Sequence, residues 1–177
     1  FTQSERNCSI MILAIDVAYT DNSAQVAGVV FESWASSDVL NHYLITINPI
    51  ANYESGQFYK RELPCILTLL DLVKEPIDMI VIDGYVYLGA EQTAGLGQHL
   101  YAALVDKIPV IGVAKNEFRG TPMEFEILRG QSVKPLYVSA IGIELVQAKH
   151  NVQSMYGKYR IPELLKQVDR LSRTTQK

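Results

Sequence analysis

None of the apolar runs in this sequence approaches the roughly 18 residues that a membrane-spanning helix requires, so no transmembrane segment is expected. Its two cysteines, Cys8 and Cys65, lie far apart in different contexts. Cys65 sits in an apolar helical pattern and is expected to be a reduced core thiol, which points to a cytoplasmic protein. The formal net charge is only -3, so there is no global basic field of the kind that advertises nucleic acid. That does not exclude such a ligand, because a metal site built from acids needs only a local patch of Lys and Arg. Repeats, linkers and a second compositional block are absent. The opening stretch Phe1 to Ser9 is polar and lacks the hydrophobic core of a signal peptide. Residues 1–10 are expected to be a disordered extension or an expression remnant.

What is present suffices for one globular domain, expected over residues 11–177: the chain has 177 residues, 48% of them hydrophobic and 20% charged. It is organised around Met79-Ile80-Val81-Ile82-Asp83-Gly84. Four unbroken apolar residues read as a strand buried on both faces, and the run stops at a carboxylate that is costly to bury unless something pairs with it. The same grammar occurs in Met11-Ile12-Leu13-Ala14-Ile15-Asp16. Two such strands place two acids at the rim where α/β sheets bind ligands. Asp83-Gly84 also reads as a hairpin turn, and locally both readings stand.

In chain order, Met11 to Tyr19, Ala24 to Trp34 and Val39 to Asn48 predict three strands joined by polar turns, an antiparallel meander. Phe58 to Lys74 predicts a helix in which Glu62, Ile66, Leu69, Leu70 and Val73 share a face. Glu62 therefore either faces Asp16 and Asp83 across a small cavity, or bends to solvent near the positive end of the helix dipole. Tyr85 to Leu96 is Gly-rich, polar and expected to be mobile. A helix over His99 to Asp106 precedes a strand over Pro109 to Ala114, which ends at Lys115. Lys115 is either a snorkelling surface residue or a cation facing a phosphate or an attacking water. Glu117 to Lys134 predicts a hairpin around Arg119-Gly120-Thr121-Pro122, with Phe125 to Leu128 as a short strand. Leu136 to Ser139 closes the strand set, and Glu144 to Tyr156 and Glu163 to Arg173 predict two helices. The fold class is α/β: a mixed sheet flanked by helices.

The strings around these acids resemble the endonuclease V family. Tyr53-Glu54-Ser55-Gly56-Gln57-Phe58-Tyr59-Lys60-Arg61-Glu62-Leu63-Pro64 resembles its Tyr-Val-Pro-Gly-Phe-Leu-x-Phe-Arg-Glu-Leu-Pro segment. Pro76 to Gly84 resembles its Pro-Asp-hydrophobic-Asp-Gly strand. Ile111-Gly112-Val113-Ala114-Lys115 and Pro135-Leu136-Tyr137-Val138-Ser139 match two more motifs, and Tyr159 to Glu163 with Asp169 to Arg173 fit the tail. The resemblance runs in order from Met11 across nearly the whole chain. It implies a ribonuclease H-like fold with helices on both faces of the sheet. By it, Asp16, Glu62 and Asp83 fall on Mg²⁺-binding carboxylates (Mn²⁺ substituting), Lys115 on an active-site lysine, and Asp78 on an auxiliary acid near the cluster. Gly56, Phe58 and Gly84 fall in segments lining the pocket for a flipped-out hypoxanthine, and Tyr53 on a wedge into the strand. The implied activity is cleavage 3′ to an inosine, one nucleotide further along, in DNA or RNA. The expected partner is inosine-containing nucleic acid, with no membrane, and the protein is expected to be a monomer.

The sequence also departs from the family. Its Asp-Gly-His/Gln-Gly-x-x-His-Pro-Arg run is here Asp83-Gly84-Tyr85-Val86-Tyr87-Leu88-Gly89-Ala90-Glu91, without histidine or arginine, in a loop about three residues longer. After Pro-Leu-Tyr-Val-Ser the family has Pro-Gly-His, where the histidine assists metal and water. Here Ala140-Ile141-Gly142 lacks it, and His150 falls inside a helix as a surface residue. The wedge prolines are replaced by residues such as Glu54 and Ser55. On physical grounds, three converging carboxylates repel at low dielectric, and a hard cation such as Mg²⁺ or Mn²⁺ resolves the repulsion. Two readings follow: a divalent-metal endonuclease, or a catalytically weakened relative that binds nucleic acid or a protein.

Overall fold

The computed structural model describes residues 9–20, 22–48 and 58–174. The predicted meander is there as β1 (Ile12–Tyr19), β2 (Ala24–Phe31) and β3 (Asn41–Ile47). Then come α1 (Phe58–Leu70), β4 (Met79–Asp83), β5 (Tyr87–Leu88), β6 (Thr93–Ala94), α2 (Leu96–Ala103) and β7 (Val110–Ala114). A 3-10 turn at Met123–Phe125 leads into β8 (Glu126–Ile127), β9 (Leu136–Ile141), α3 (Leu145–Gln153) and α4 (Glu163–Ser172). Seven strands form one sheet in the order β3-β2-β1-β4-β7-β9-β8. β1, β4 and β7 are parallel, and β2, β3, β8 and β9 pair antiparallel to their neighbours.

The parallel centre explains the unbroken apolar runs, because both faces of those strands are covered. Ile12, Ala14, Met79 and Val81 pack toward Ala148, Val152, Leu164 and Val168 of α3 and α4. The alternate residues Leu13, Ile15, Ile80 and Ile82 pack toward Cys65, Ile66 and Leu69 of α1 and Leu100 of α2. Helices thus flank both faces, as expected of the ribonuclease H-like arrangement. Cys65 is a free, buried thiol.

The structure corrects several boundaries. α1 ends at Leu70, not Lys74: Leu72 and Val73 donate to carbonyls only three residues back, and Pro76 follows, which bars the preceding residue from helical geometry. Among the described residues no hairpin forms around Arg119 to Pro122. A tight turn from Phe118 to Thr121 leads to β8, which pairs with β9 instead. Tyr85 to Leu96, expected to be mobile, holds the small β5–β6 hairpin, turned by Gly89 and Gln92 at positive φ.

Candidate active site

β1 and β4 run parallel, so their C-terminal ends share one rim of the sheet, and Asp16 and Asp83 sit on it. The alternation that aims Ile12 and Ala14 at α4 aims Asp16 there too, as Met79 and Val81 do for Asp83. Both aspartates line a small cleft with Ile161, Leu165 and Val168. Glu62 arrives from α1 on the opposite face. Around the rim, Asp16, Glu62 and Asp83 all line a second cavity of about 620 Å³, shared with Tyr19, Tyr59, Gly84, Tyr85 and Phe118. That volume is within the range of small-molecule sites. Among the described residues no three acid, imidazole or thiol groups are arranged to hold an ion.

The acids raise one another's proton affinity. Burial first, then the Asp16 and Asp83 charges, lift the Glu62 carboxyl to about 8, against a smaller lowering by Arg61. Burial and the Asp83 charge lift Asp16 to about 7. Asp83, exposed at the rim, is raised by partial desolvation and opposed by Lys115, whose ammonium lies 3.8 Å from Oδ2. Arg61 lies over the Tyr19 ring, 3.8 Å from its centroid, and the Tyr19 hydroxyl is buried without a partner.

Sequence reasoning missed Asp169. It lies on α4, which packs against β1, and its carboxyl interacts with that of Asp16. Against the effect of burial, its own carboxyl is held low by that interaction and by Arg173, whose Nε is 3.1 Å away. The two carboxyls are thus pushed in opposite directions, Asp16 up and Asp169 down beside Arg173. The available signal was the one that picked out Glu62: Asp169 falls four residues after Leu165 and one after buried Val168, at the edge of the helix's apolar stripe.

Two glycines shape the wall behind Asp83. Gly84 turns the chain at φ 137°, a conformation side-chain-bearing residues avoid. The chain then crosses β7 at Gly112, where a Cβ would stand 2.5 Å from the Gly84 carbonyl and 2.8 Å from Ser139 Oγ. Ser139 Oγ in turn accepts from the Val86 N–H at 2.8 Å.

Other expected positions fall elsewhere. Asp78 stands at the N-terminal end of β4, the opposite end from Asp83, where its carboxylate accepts from the Met11 N–H at 2.9 Å. It is not an auxiliary acid of the cluster. Gly142, aligned with the family's missing histidine, follows β9, which runs antiparallel to β7. It lies against Pro109 and Tyr101, at the end of the sheet away from Asp83. A side chain there is remote from the acids. His150 is exposed on α3, as expected. Tyr53 and Gly56 lie outside the described residues, and Phe58 is described only as the start of α1.

Fold and site together define an α/β fold whose central parallel strands deliver carboxylates, beside a lysine, to a cavity at one rim. The chain belongs to the Endonuclease V family, whose model matches residues 2–133. The Endonuclease V of Streptomyces avermitilis is 33% identical over 92% of this chain and 79% of its own length. A crystal structure of Endonuclease V from that organism superposes with a TM-score of 0.74 at 30% identity, covering 94% of this chain and 81% of that one. The Endonuclease V of Ciona intestinalis, solved in complex with a 24mer DNA containing an inosine followed by a ribo-adenosine, has a TM-score of 0.76. It is 21% identical and covers 93% of this chain and 84% of its own.

Proposed function

We propose that this chain is a divalent-metal endonuclease that hydrolyses a phosphodiester 3′ to an inosine, one nucleotide further along, in DNA or RNA. The observation that carries the reading is the delivery of Asp16, Glu62 and Asp83, from three separate elements, to one cavity. Acids gathered this way, with proton affinities lifted by burial and mutual repulsion, lower the stability of the empty site and suit a cation.

The donor set fits Mg²⁺ or Mn²⁺ in chemistry, being all carboxylate oxygen. Asp16, Glu62 and Asp83 would hold the ion, with Asp169 on the α4 side. When bound, it supplies an activated water and offsets charge on the leaving oxygen. The protein's own groups do the rest. Lys115, beside Asp83, presents an ammonium toward the phosphate. The cavity takes the flipped base against the backbone of Gly84 and the rings of Tyr59, Tyr85 and Phe118. By resemblance, Gly56 and Phe58 belong to segments that line such a pocket, and Tyr53 to a wedge into the strand.

A second reading, a weakened relative that binds without cutting, is favoured because, among the described residues, no three acids are placed so as to hold an ion together. The loss of the family's histidines and arginine from Tyr85 to Glu91 favours it too. The test is cleavage and binding of single-stranded inosine oligonucleotides, DNA and RNA, by wild type and Asp16→Ala with Mn²⁺. Cleavage by wild type alone supports the nuclease; binding by both without cleavage leaves the binding module.

A further inference from the structure

The segment after β7 is held from two sides. The Tyr85 hydroxyl donates to the Asn116 carbonyl at 2.7 Å and accepts from the Phe118 N–H at 3.0 Å. Its ring meets Phe118 edge-on, with centroids 6.1 Å apart. From the α3–α4 connection, the Arg160 guanidinium donates to the carbonyls of Lys115 itself, Pro135 at 2.8 Å and Lys134 at 3.1 Å. Arg129 in turn pins that connection by donating to the carbonyls of Met155, Gly157, Tyr159 and Arg160. The bonds from Tyr85 and Arg160 thus fall on the backbone of Lys115, Asn116 and Phe118. The Lys115 ammonium lies 3.8 Å from Asp83.

We propose that Tyr85 and Arg160 are positioning residues, a two-sided clamp on residues 115–118 that fixes the Lys115 ammonium beside Asp83. The inference rests on the nuclease reading for its consequence in catalysis, but not for its geometry. A lysine has four rotatable bonds and little preference of its own, so the reach of its ammonium depends on a fixed Cα. Tyr85 stands where the family carries His or Gln. A phenol suits this position because its one oxygen both donates and accepts, joining two backbone groups two residues apart.

The experiment uses Tyr85→Phe, which keeps the ring and removes only the bridging oxygen. The first readout is the ¹³C resonance of reductively dimethylated Lys115, assigned with Lys115→Arg at fixed neutral pH. In wild type it should stand apart from the exposed lysines, and it should move toward them in Tyr85→Phe and in Asp83→Asn. A wild-type signal among the exposed lysines, or one unmoved by Tyr85→Phe, overturns the clamp. The second readout is cleavage of an inosine strand with Mn²⁺. Loss of the bridge should lower kcat about tenfold, the rate equivalent of one hydrogen bond, with KM little changed. In a Lys115→Ala background the same substitution should cost nothing further. A tenfold loss there as well would show that Tyr85 acts through the cavity wall and not through Lys115. If wild type does not cleave, the nuclease reading fails while the resonance still decides the clamp.

Discussion

Replacing Glu62 by glutamine should make the metal-free protein more stable at alkaline pH while abolishing its response to metal. Glu62 has a folded-state proton affinity near 8 against an ordinary value of 4.5. A carboxyl raised in this way keeps its proton in the folded state between those limits and loses it in the unfolded one. Stability therefore falls as pH rises from about 4.5 through about 8, and the cost is complete above that. Each tenfold change in affinity is worth about 1.4 kcal/mol, so the bound on that cost is about 5 kcal/mol. Water entering the cavity and partial sharing of the Asp16 repulsion reduce it to roughly 2–3 kcal/mol. Glu62→Gln removes the charge and keeps the shape. In EDTA at pH 9 it should raise Tm by about 5–10 °C, given some 2–4 °C per kcal/mol for a chain of this size. At pH 4 the two proteins should melt within about 2 °C of each other. Mn²⁺ should then raise the wild-type Tm at pH 7.5 by linkage, with little effect on the variant. A variant no more stable than wild type at pH 9 would refute the premise that Glu62 is an unneutralised acid in the cavity.

Three further outcomes follow from the packing around the site. Gly112→Ala should destabilise by about 2–3 kcal/mol in urea titration, because the new Cβ meets the Gly84 carbonyl and Ser139 Oγ at less than contact distance. Arg129→Met should cost about 3–5 kcal/mol in the same assay, since it leaves the carbonyls of Met155, Gly157, Tyr159 and Arg160 without their donor. Asp78→Asn should leave the cleavage rate within about twofold and stability within about 1 kcal/mol, because an amide oxygen can still accept from Met11.

Much of the site could be read in the sequence because it breaks the sequence's own patterns. Asp16 and Asp83 end apolar strands, Glu62 interrupts an apolar helix face, and Lys115 follows a buried run. In the structure Asp16, within β1, and Asp83, at the end of β4, line one cavity with Glu62 of α1, and the Lys115 ammonium lies 3.8 Å from Asp83. Asp169 was less legible, since an acid on an amphipathic helix ordinarily belongs to the solvated face. Its role depends on where α4 crosses β1. Asp78 and Gly142 misled for a geometric reason. Each lies within a few residues of a motif, but strand direction carries it to the far end of the sheet, and direction is settled by pairing between distant segments. The role of Tyr85 arises from contacts more than 30 residues along the chain, which no local pattern announces.

The central claim is that these carboxylates support metal-dependent cleavage at a deaminated base. It is tested most directly by mapping the products of an end-labelled single strand carrying one inosine, incubated with Mn²⁺ and wild type or Asp83→Asn. Wild type should give a single cut one nucleotide beyond the inosine on its 3′ side and none in EDTA, with a loss of at least about 10²-fold in Asp83→Asn. Cutting that ignores the inosine, or that survives in EDTA or in Asp83→Asn, would contradict the claim.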